Sequence, residues 1–436
     1  MARPESSEPV SSVARLQQVP SYADFADQYL RPNRPCLLPQ DLVKGWPIFR
    51  LLATAGDNAD RDAQAQFDET SLHPAFDMLQ ERYGQHHRVP VVLSSVSSQE
   101  RTDMMLSDAV ELMRTHKLSR SGTVVYVKDW HIFRQERLWL RKERNDNSSE
   151  GGIVETEVKA AAELYDPPSL FKDDWMNNVR DSEADDFAFC YAGSKGSSTG
   201  LHRDVYTSYS WSTNIIGQKR WRLFPPTCVR KLRRFPNIRT SELASNCDEM
   251  DERSRRGELG TVAEGKAGWP LWEEARSEAL ELVQEPGETI FVPSNWYHEV
   301  LNLTDCISIN HNWCNTYNLE SMFDSMVEEV EDVEASLEDV RVTLEQGSSK
   351  EDEWRTEWVG IVQQVARQDA GWAWSGFWEM VLHNLTVPPT EAQYKPEDEV
   401  VKQVIRQLLE RFQSRPEAPY LGDDVDTCIQ QLQSIL

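Results

Sequence analysis

The 436-residue sequence has no CxxC pair, no apolar run near the roughly 18 residues a membrane-spanning helix requires, and no apolar core in its opening segment MARPESSEPVSSVARL. These absences argue against a zinc ribbon, a membrane anchor and a secretory leader, and they suit a cytoplasmic protein, with the nucleus as the other compartment. Seven cysteines, Cys36, Cys190, Cys228, Cys247, Cys306, Cys314 and Cys428, are odd in number and scattered. Reduced thiols are therefore expected in place of a disulfide framework. Positive charge is scarce: 46 Lys and Arg face 72 Asp and Glu, a net charge of −26. A phosphate backbone needs clustered cations, so direct nucleic-acid binding is disfavoured and a protein partner fits better. Most of these carboxylates simply solvate the surface.

What is present is organised around Ser198 to Pro226, STGLHRDVYTSYSWSTNIIGQKRWRLFPP. His202 and Asp204 stand two apart, so on a strand their side chains leave the same face and converge on one ion. One imidazole and one carboxylate on a strand suggest a 2-His-1-carboxylate triad, which holds Fe(II) on one face and leaves the other positions open. His298, after the turn Pro293 to Trp296 and at the start of another strand, is the natural third ligand. His311 either orients a ligand from behind or caps its strand, with neither reading preferred. His73, His86, His87, His116 and His383 sit in polar or helical context and read as surface groups.

Short strands are expected at Cys36 to Leu38, Val89 to Leu93, Thr123 to Trp130, Asp186 to Gly193, Thr289 to Val292 and Asp305 to Trp313, the last alternating Ile307 and Ile309 with Ser308 and Asn310. A capping-box spacing at Ser21 opens a helix to Leu30, and another begins near Ser107. The division expected is a disordered 1–20, an extension of helices and strands over 21–160, a β-rich core over 161–317 interrupted by a loop insertion at 240–282, and a helical region over 318–436. Polar stretches Asp57 to Thr70 and Lys142 to Ala160 read as insertions. Met322, Met326, Val330, Val333, Leu337, Val340 and Leu344 form a heptad-like seam on one acidic helix, which either packs as a helical cap or mediates a homodimer.

The pieces HxD, GxKRWxLFPP and PGExxFVPSxWxHxVxNLxxxISINHNW resemble the JmjC-domain 2-oxoglutarate oxygenases, over about Ser21 to Asn318. The resemblance implies a double-stranded β-helix (jelly-roll, cupin-like) core in a mixed α+β fold, with Fe(II) on His202, Asp204 and His298 and with 2-oxoglutarate and O2 as cosubstrates. It further implies that Lys219 pairs with the far carboxylate of 2-oxoglutarate and that Thr199 and Tyr126 supply hydroxyl donors to it, although strand packing explains Tyr126 equally well. Ser212 stands where related hydroxylases carry Asn, Asn310 where they carry Thr, and Asn312 where an amide lies near the cosubstrate. The nearest subgroup hydroxylates a lysine side-chain carbon of the translation termination (release) factor. The competing readings are N-methyl-lysine demethylation of a histone or other protein and a non-catalytic JmjC binding protein. Intact ligand residues speak against the last. Asp129, Asp174 and Glu299 are candidates for holding a substrate ammonium.

Overall fold

The computed structural model describes residues 12–53, 71–95, 99–119, 122–147, 164–178, 187–260, 268–348 and 350–436. Strands β1 (Ala14–Arg15), β2 (Cys36–Leu38), β3 (Arg88–Ser94), β4 (Gln99–Met105) and β5 (Val124–Trp130) come from the N-terminal extension. Its helices are α1 (Tyr22–Phe25), α2 (Pro47–Ala53), α3 (Ala75–Tyr83), α4 (Leu106–Ser119) and α5 (Ile132–Asn147). The core follows as β6 (Ala188–Gly193), β7 (Ser198–His202), β8 (Tyr209–Ile216), β9 (Lys219–Phe224), β10 (Leu280–Gln284), β11 (Thr289–Val292), β12 (Tyr297–Asn302) and β13 (Cys306–Trp313).

Two sheets form, one ordered β1-β2-β11-β8-β13-β6-β5-β3-β4 and one ordered β10-β9-β12-β7. The core strands divide between them, β6, β8, β11 and β13 in the large sheet and β7, β9, β10 and β12 in the small, so the chain changes sheet at every step except from β9 to its antiparallel neighbour β10. That winding is the double-stranded β-helix. Side-chain alternation fixes which face looks inward. On β8, Trp211 and Ile215 join the large outer core under the N-terminal helices, so Ser210, Ser212 and Asn214 line the interior. In β13 the same rule sends Ile307 and Ile309 outward and Ser308, Asn310 and Asn312 inward. Part of the interior is closed by Trp221, Leu223, Ile290, Val292, Trp296 and Val300. The remainder is polar and holds the site.

Several expectations need correction. Ala14 and Arg15, placed in a disordered leader, pair in parallel with Cys36 and Leu37. Residues 142–147 continue helix α5 instead of opening a loop; residues 57–70 and 148–160 lie outside the described ones. The 240–282 insertion is more than loop: it contains α6 (Cys247–Arg255), α7 (Trp272–Glu278) and the first residues of β10. Asn246 caps α6 by accepting from the Glu249 N–H at 2.9 Å, and Cys247, Met250 and Trp272 bury themselves beside Phe224 on the outside of the small sheet. Strand β4 is polar over its first five residues, carries Met104 and Met105 only at its end, and pairs with β3 along its whole length, so ladder hydrogen bonds override a weak sequence pattern.

The heptad seam breaks at Leu337 into α8 (Leu319–Ser336) and α9 (Glu338–Gly347). With α10 (Glu351–Ala370), α11 (Trp374–Thr386), α12 (Asp398–Gln413) and α13 (Asp423–Ile435) these build the C-terminal bundle, and Met322, Met326, Val330 and Val333 are buried inside it.

The turn joining β8 to β9 carries a requirement for glycine. Gly217 has φ of +80°, and a Cβ there would lie 2.1 Å from the Asp305 carbonyl oxygen and 2.7 Å from Cys306 Sγ. Gly217→Ala is expected to lower the unfolding free energy by about 2 kcal/mol or more; an unshifted urea midpoint would refute this.

Candidate metal centre

Three donors converge at one end of the interior. His202 closes β7, Asp204 follows it, and His298 sits on β12 directly opposite His202 in the ladder. Their ligand atoms all lie within 4.8 Å of one another, with the imidazole centroids 4.3 Å apart. Tautomers are fixed by the backbone. His202 Nδ1 lies 2.8 Å from the Gly200 carbonyl and His298 Nδ1 lies 3.2 Å from the Trp296 carbonyl. A carbonyl only accepts, so each Nδ1 carries the hydrogen and each Nε2 keeps its lone pair for an ion. Burial, and next the adjacent His298, lower the His202 pKa to about 4, so the ring is neutral and ligand-ready at physiological pH. Asp204 Oδ2 accepts from Ser210 Oγ at 2.6 Å, which orients the carboxylate.

Spacing alone puts Thr199 and His202, three residues apart, on opposite faces of a regular strand. A bulge between them resolves this: His298 pairs with His202 but Val300 pairs with Thr199, so both face inward. Gly200 lies in that irregular stretch, where a Cβ would come 2.6 Å from the Ser245 carbonyl oxygen. Thr199 then stands beside the buried Tyr126 hydroxyl. Packing around that ring excludes any side chain at position 193, because a Cβ on Gly193 would sit 2.3 Å from Ser197 Oγ and 2.5 Å from Tyr126 Cδ2.

Lys219 begins β9, opposite Asn302, whereas His298 opposes Leu223. Four residues of strand, about 13 Å, separate those two rows. The Lys219 side chain is 2 % exposed and donates to Ser308 Oγ across the interior at 2.6 Å. Burial lowers its pKa to about 8, so it stays cationic near neutrality. Ser212 opposes Asn310 on neighbouring strands. Ser212 Oγ, Asn310 Oδ1 and Asn302 Oδ1 are buried without a protein partner. Such groups are costly unless something else satisfies them. Asn312 instead donates to Ser208 Oγ at 3.2 Å, behind the Asp204 turn.

The comparisons agree with this geometry. A cupin-like domain profile matches residues 22–319. The chain is 33 % identical over 345 residues to the "Arginine-specific demethylase JMJ20" of Arabidopsis thaliana, covering 74 % of this chain and 61 % of the relative. Against the "2-oxoglutarate and iron-dependent oxygenase JMJD4" of Homo sapiens it is 32 % identical over 333 residues, 74 % and 66 % of the two chains. Against the "JmjC domain-containing protein 1" of Schizosaccharomyces pombe it is 30 % identical over 383 residues, 82 % and 71 %. The chain belongs to the cupin-like JmjC family. It spans between 61 % and 65 % of the length of the Arabidopsis, mouse and zebrafish relatives it matches.

The donor set fits Fe(II): two neutral imidazoles and a carboxylate on one side of an ion, with a buried lysine deeper in the fold. Within this JmjC core the residues singled out in sequence fall into two groups. His202, Asp204, His298, Lys219, Thr199, Tyr126, Ser212 and Asn310 share the interior. Glu299 does not: it points to the outside of the small sheet, where Arg222 and the Cys247 N–H meet it. Asp174 caps its own turn, accepting from the Met176 and Asn177 N–H groups. His311 faces the outer core, stacked on Trp211 at 4.4 Å, so it orients no ligand. Sequence reasoning missed the roles of Ser210 and Ser308; strand parity on β8 and β13 could have placed both side chains inside, but not named Asp204 and Lys219 as their partners.

A second cluster, His86, His87 and Glu136, also gathers three donors. It is not the surface group expected, since His87 is fully buried. Trp130 Nε1 donates to His87 Nδ1 at 3.2 Å, which leaves the hydrogen of a neutral ring on Nε2, 3.4 Å from Glu136 Oε2. That nitrogen has no lone pair to give, so the cluster suits a metal less well than the JmjC triad does.

Ser210→Ala is expected to weaken Mn(II) binding about ten-fold, and wild-type Mn(II) affinity is expected to decline as pH drops toward about 4, where the His202 ring gains its proton. Calorimetric titration checks both. Equal affinities for variant and wild type, or a pH-independent constant, would contradict them.

Proposed function

We propose that the chain is an Fe(II)- and 2-oxoglutarate-dependent protein hydroxylase that hydroxylates a lysine side-chain carbon of the translation termination (release) factor. The observation that carries the chemistry is the open triad of His202, Asp204 and His298, in line with the isolated cation of Lys219. When bound, iron(II) and 2-oxoglutarate together activate dioxygen for insertion into an unactivated C–H bond. The chain's own residues bind and orient. Lys219 meets the far carboxylate of the cosubstrate, Ser308 holds the ammonium in place, and Tyr126 with Thr199 offers hydroxyl donors beside it. Ser212, Asn310 and Asn302 present acceptors and donors that water or cosubstrate satisfies.

For the substrate, support comes from the wall of aromatic rings leading out from the centre. Tyr191 on β6 lies between Tyr126 at 5.9 Å and Phe189 at 6.3 Å. Its hydroxyl donates to Asp129 Oδ1 at 2.8 Å. Burial, and then the Asp129 charge, hold the phenol well above its ordinary pKa, so it remains a neutral donor. Asp129 sits at an irregularity in the β5 ladder with φ of +62°, a conformation that costs a non-glycine residue about 1–2 kcal/mol. The Oδ2 atom of this half-buried carboxylate already takes the Arg101 guanidinium at 3.3 Å, so a substrate cation would share it with Arg101. The names of relatives include both an arginine demethylase and an oxygenase, so demethylation of a methylated lysine or arginine is the competing reading.

The deciding experiment incubates protein, Fe(II), 2-oxoglutarate and candidate substrates, followed by mass spectrometry. One oxygen gained on a termination-factor lysine supports the proposal; an unmodified factor overturns it, and loss of a methyl with release of formaldehyde establishes demethylation instead. A second expectation concerns the cosubstrate. Binding of 2-oxoglutarate should be flat through neutral pH and weaken as pH rises through about 8, where Lys219 loses its proton, and Lys219→Ala should abolish that dependence along with most of the affinity. An affinity that climbs with pH would exclude Lys219 as the carboxylate partner.

A further inference from the structure

Both turns that present the candidate ligands pass through the left-handed backbone region, which Asn295 tolerates and which is costly at Tyr206 and Thr207. After Asp204, Tyr206 and Thr207 are consecutive non-glycine residues with φ of +52° and +51°, and before His298, Asn295 has φ of +61°. Left to itself a chain of L-residues abandons such conformations, so their persistence requires contacts that over-determine them. Those contacts come from outside the barrel. Helix α8 packs against the turn Val205–Thr207. There the Thr207 hydroxyl donates to the Ser321 carbonyl at 2.9 Å, and Ser294 Oγ donates to the Thr207 carbonyl. Ser321 Oγ lies 3.0 Å from Thr207 Oγ1 and 2.8 Å from Ser294 Oγ. Three hydroxyls therefore knot the two ligand turns to each other and to α8. Ser294 and Thr207 are 3 % and 2 % exposed, and buried hydroxyl networks of this kind hold a geometry because breaking one member orphans the rest.

Two further ties repeat the pattern. Arg203, between the ligands His202 and Asp204, donates to Asn295 Oδ1 at 3.1 Å and to Glu328 Oε2 on α8 at 3.4 Å. Glu328 is seven residues after Ser321, two helical turns along the same face. Tyr206, inside the strained turn, stacks on Trp372 at 5.2 Å with an interplanar angle of 26°. Trp372 lies in the short link between α10 and α11, just after the left-handed Gly371 that ends α10.

We propose that the C-terminal helical bundle is a positioning element of the metal centre: Ser321, Glu328 and Trp372 act through Thr207, Arg203 and Tyr206 to hold Asp204 and His298 in ligating geometry. The bundle is then not a separate cap. This inference rests on the reading of His202, Asp204 and His298 as a metal site. It assigns no chemistry to the bundle residues, which touch the ligand turns and not the ion.

The test titrates full-length protein with Mn(II), a redox-inert probe, and measures the melting temperature of the metal-free form in parallel. Ser321→Ala and Trp372→Ala are each expected to raise the Mn(II) dissociation constant about ten-fold, the scale on which outer contacts act on ligated metals. Ser321→Thr, which keeps the hydroxyl, restores most of the affinity. Leu432→Ala removes a fully buried bundle side chain that touches neither turn; it lowers the melting temperature and leaves the Mn(II) constant unchanged. If Leu432→Ala weakens Mn(II) as much as Trp372→Ala does, the effect is general destabilisation and the positioning role is wrong. If wild type binds Mn(II) and Ser321→Ala and Trp372→Ala bind it equally well, the role is again wrong while the metal site stands. Failure of wild type to bind Mn(II) overturns the metal site and the positioning role together.

Discussion

Each histidine of the candidate metal centre donates its Nδ1 hydrogen to the carbonyl two residues before it, Gly200 for His202 and Trp296 for His298. Much of the site follows from that pair of bonds. They set the tautomer, and the tautomer leaves the Nε2 lone pair available to an ion. They also demand an irregular backbone just upstream, because in a regular antiparallel ladder a carbonyl is turned toward the neighbouring strand. On one side the bulge between Thr199 and His202 supplies the irregularity; on the other, the turn through Asn295 does. The contrast with His87 is instructive. There an indole N–H takes Nδ1, the hydrogen moves to Nε2, and three donors of similar spacing lose their suitability for an ion.

The convergence of the three candidate ligands was legible in sequence because it is carried by residue type at short range: an HxD pair needs only a strand to converge, and His298 announces itself after a Pro-Ser-Asn-Trp turn. The core strands were legible for the same reason, as short β-branched and aromatic runs. What could not be read was anything decided by pairing across the sandwich. Ser308 matters because Lys219 reaches over from the other sheet, a contact between residues 89 apart. Thr199 faces the interior only because of a bulge that no local pattern signals. Glu299 looked like a cation partner by type, yet strand parity next to an inward His298 turns it outward, onto Arg222.

The acidic balance is likewise local in its effects. Arg222 gathers Asp248, Glu281 and Glu299 on the outside of the small sheet, which fastens the α6–α7 insertion over strands that carry Lys219 and His298 on their inner face. With α8 packed on the turn after Asp204 and this insertion covering the outer face of the small sheet beside Leu201 and Glu299, the β-helix is supported from outside by two elements. The interior is thereby free to remain polar, and a polar interior is the arrangement a barrel needs if it is to receive a charged ligand.

Lys219 states that need most sharply. A buried ion without a counter-charge costs several kcal/mol, and no carboxylate pairs with Lys219 among the described residues. Its hydrogen-bond partner is the neutral Ser308 hydroxyl. The nearby thiols do not compensate either: burial raises the pKa of Cys190 to about 12 and raises that of Cys306, so neither is a thiolate near neutrality. Burial lowers the lysine itself only to about 8, leaving it charged. A fold that keeps such a cation, ringed by unpaired polar atoms on Ser212, Asn310 and Asn302, has left the counter-charge to be supplied from outside. Under the function proposed above, that charge would come from the far carboxylate of a dicarboxylate small enough to enter the barrel and long enough to lie between this lysine and the triad.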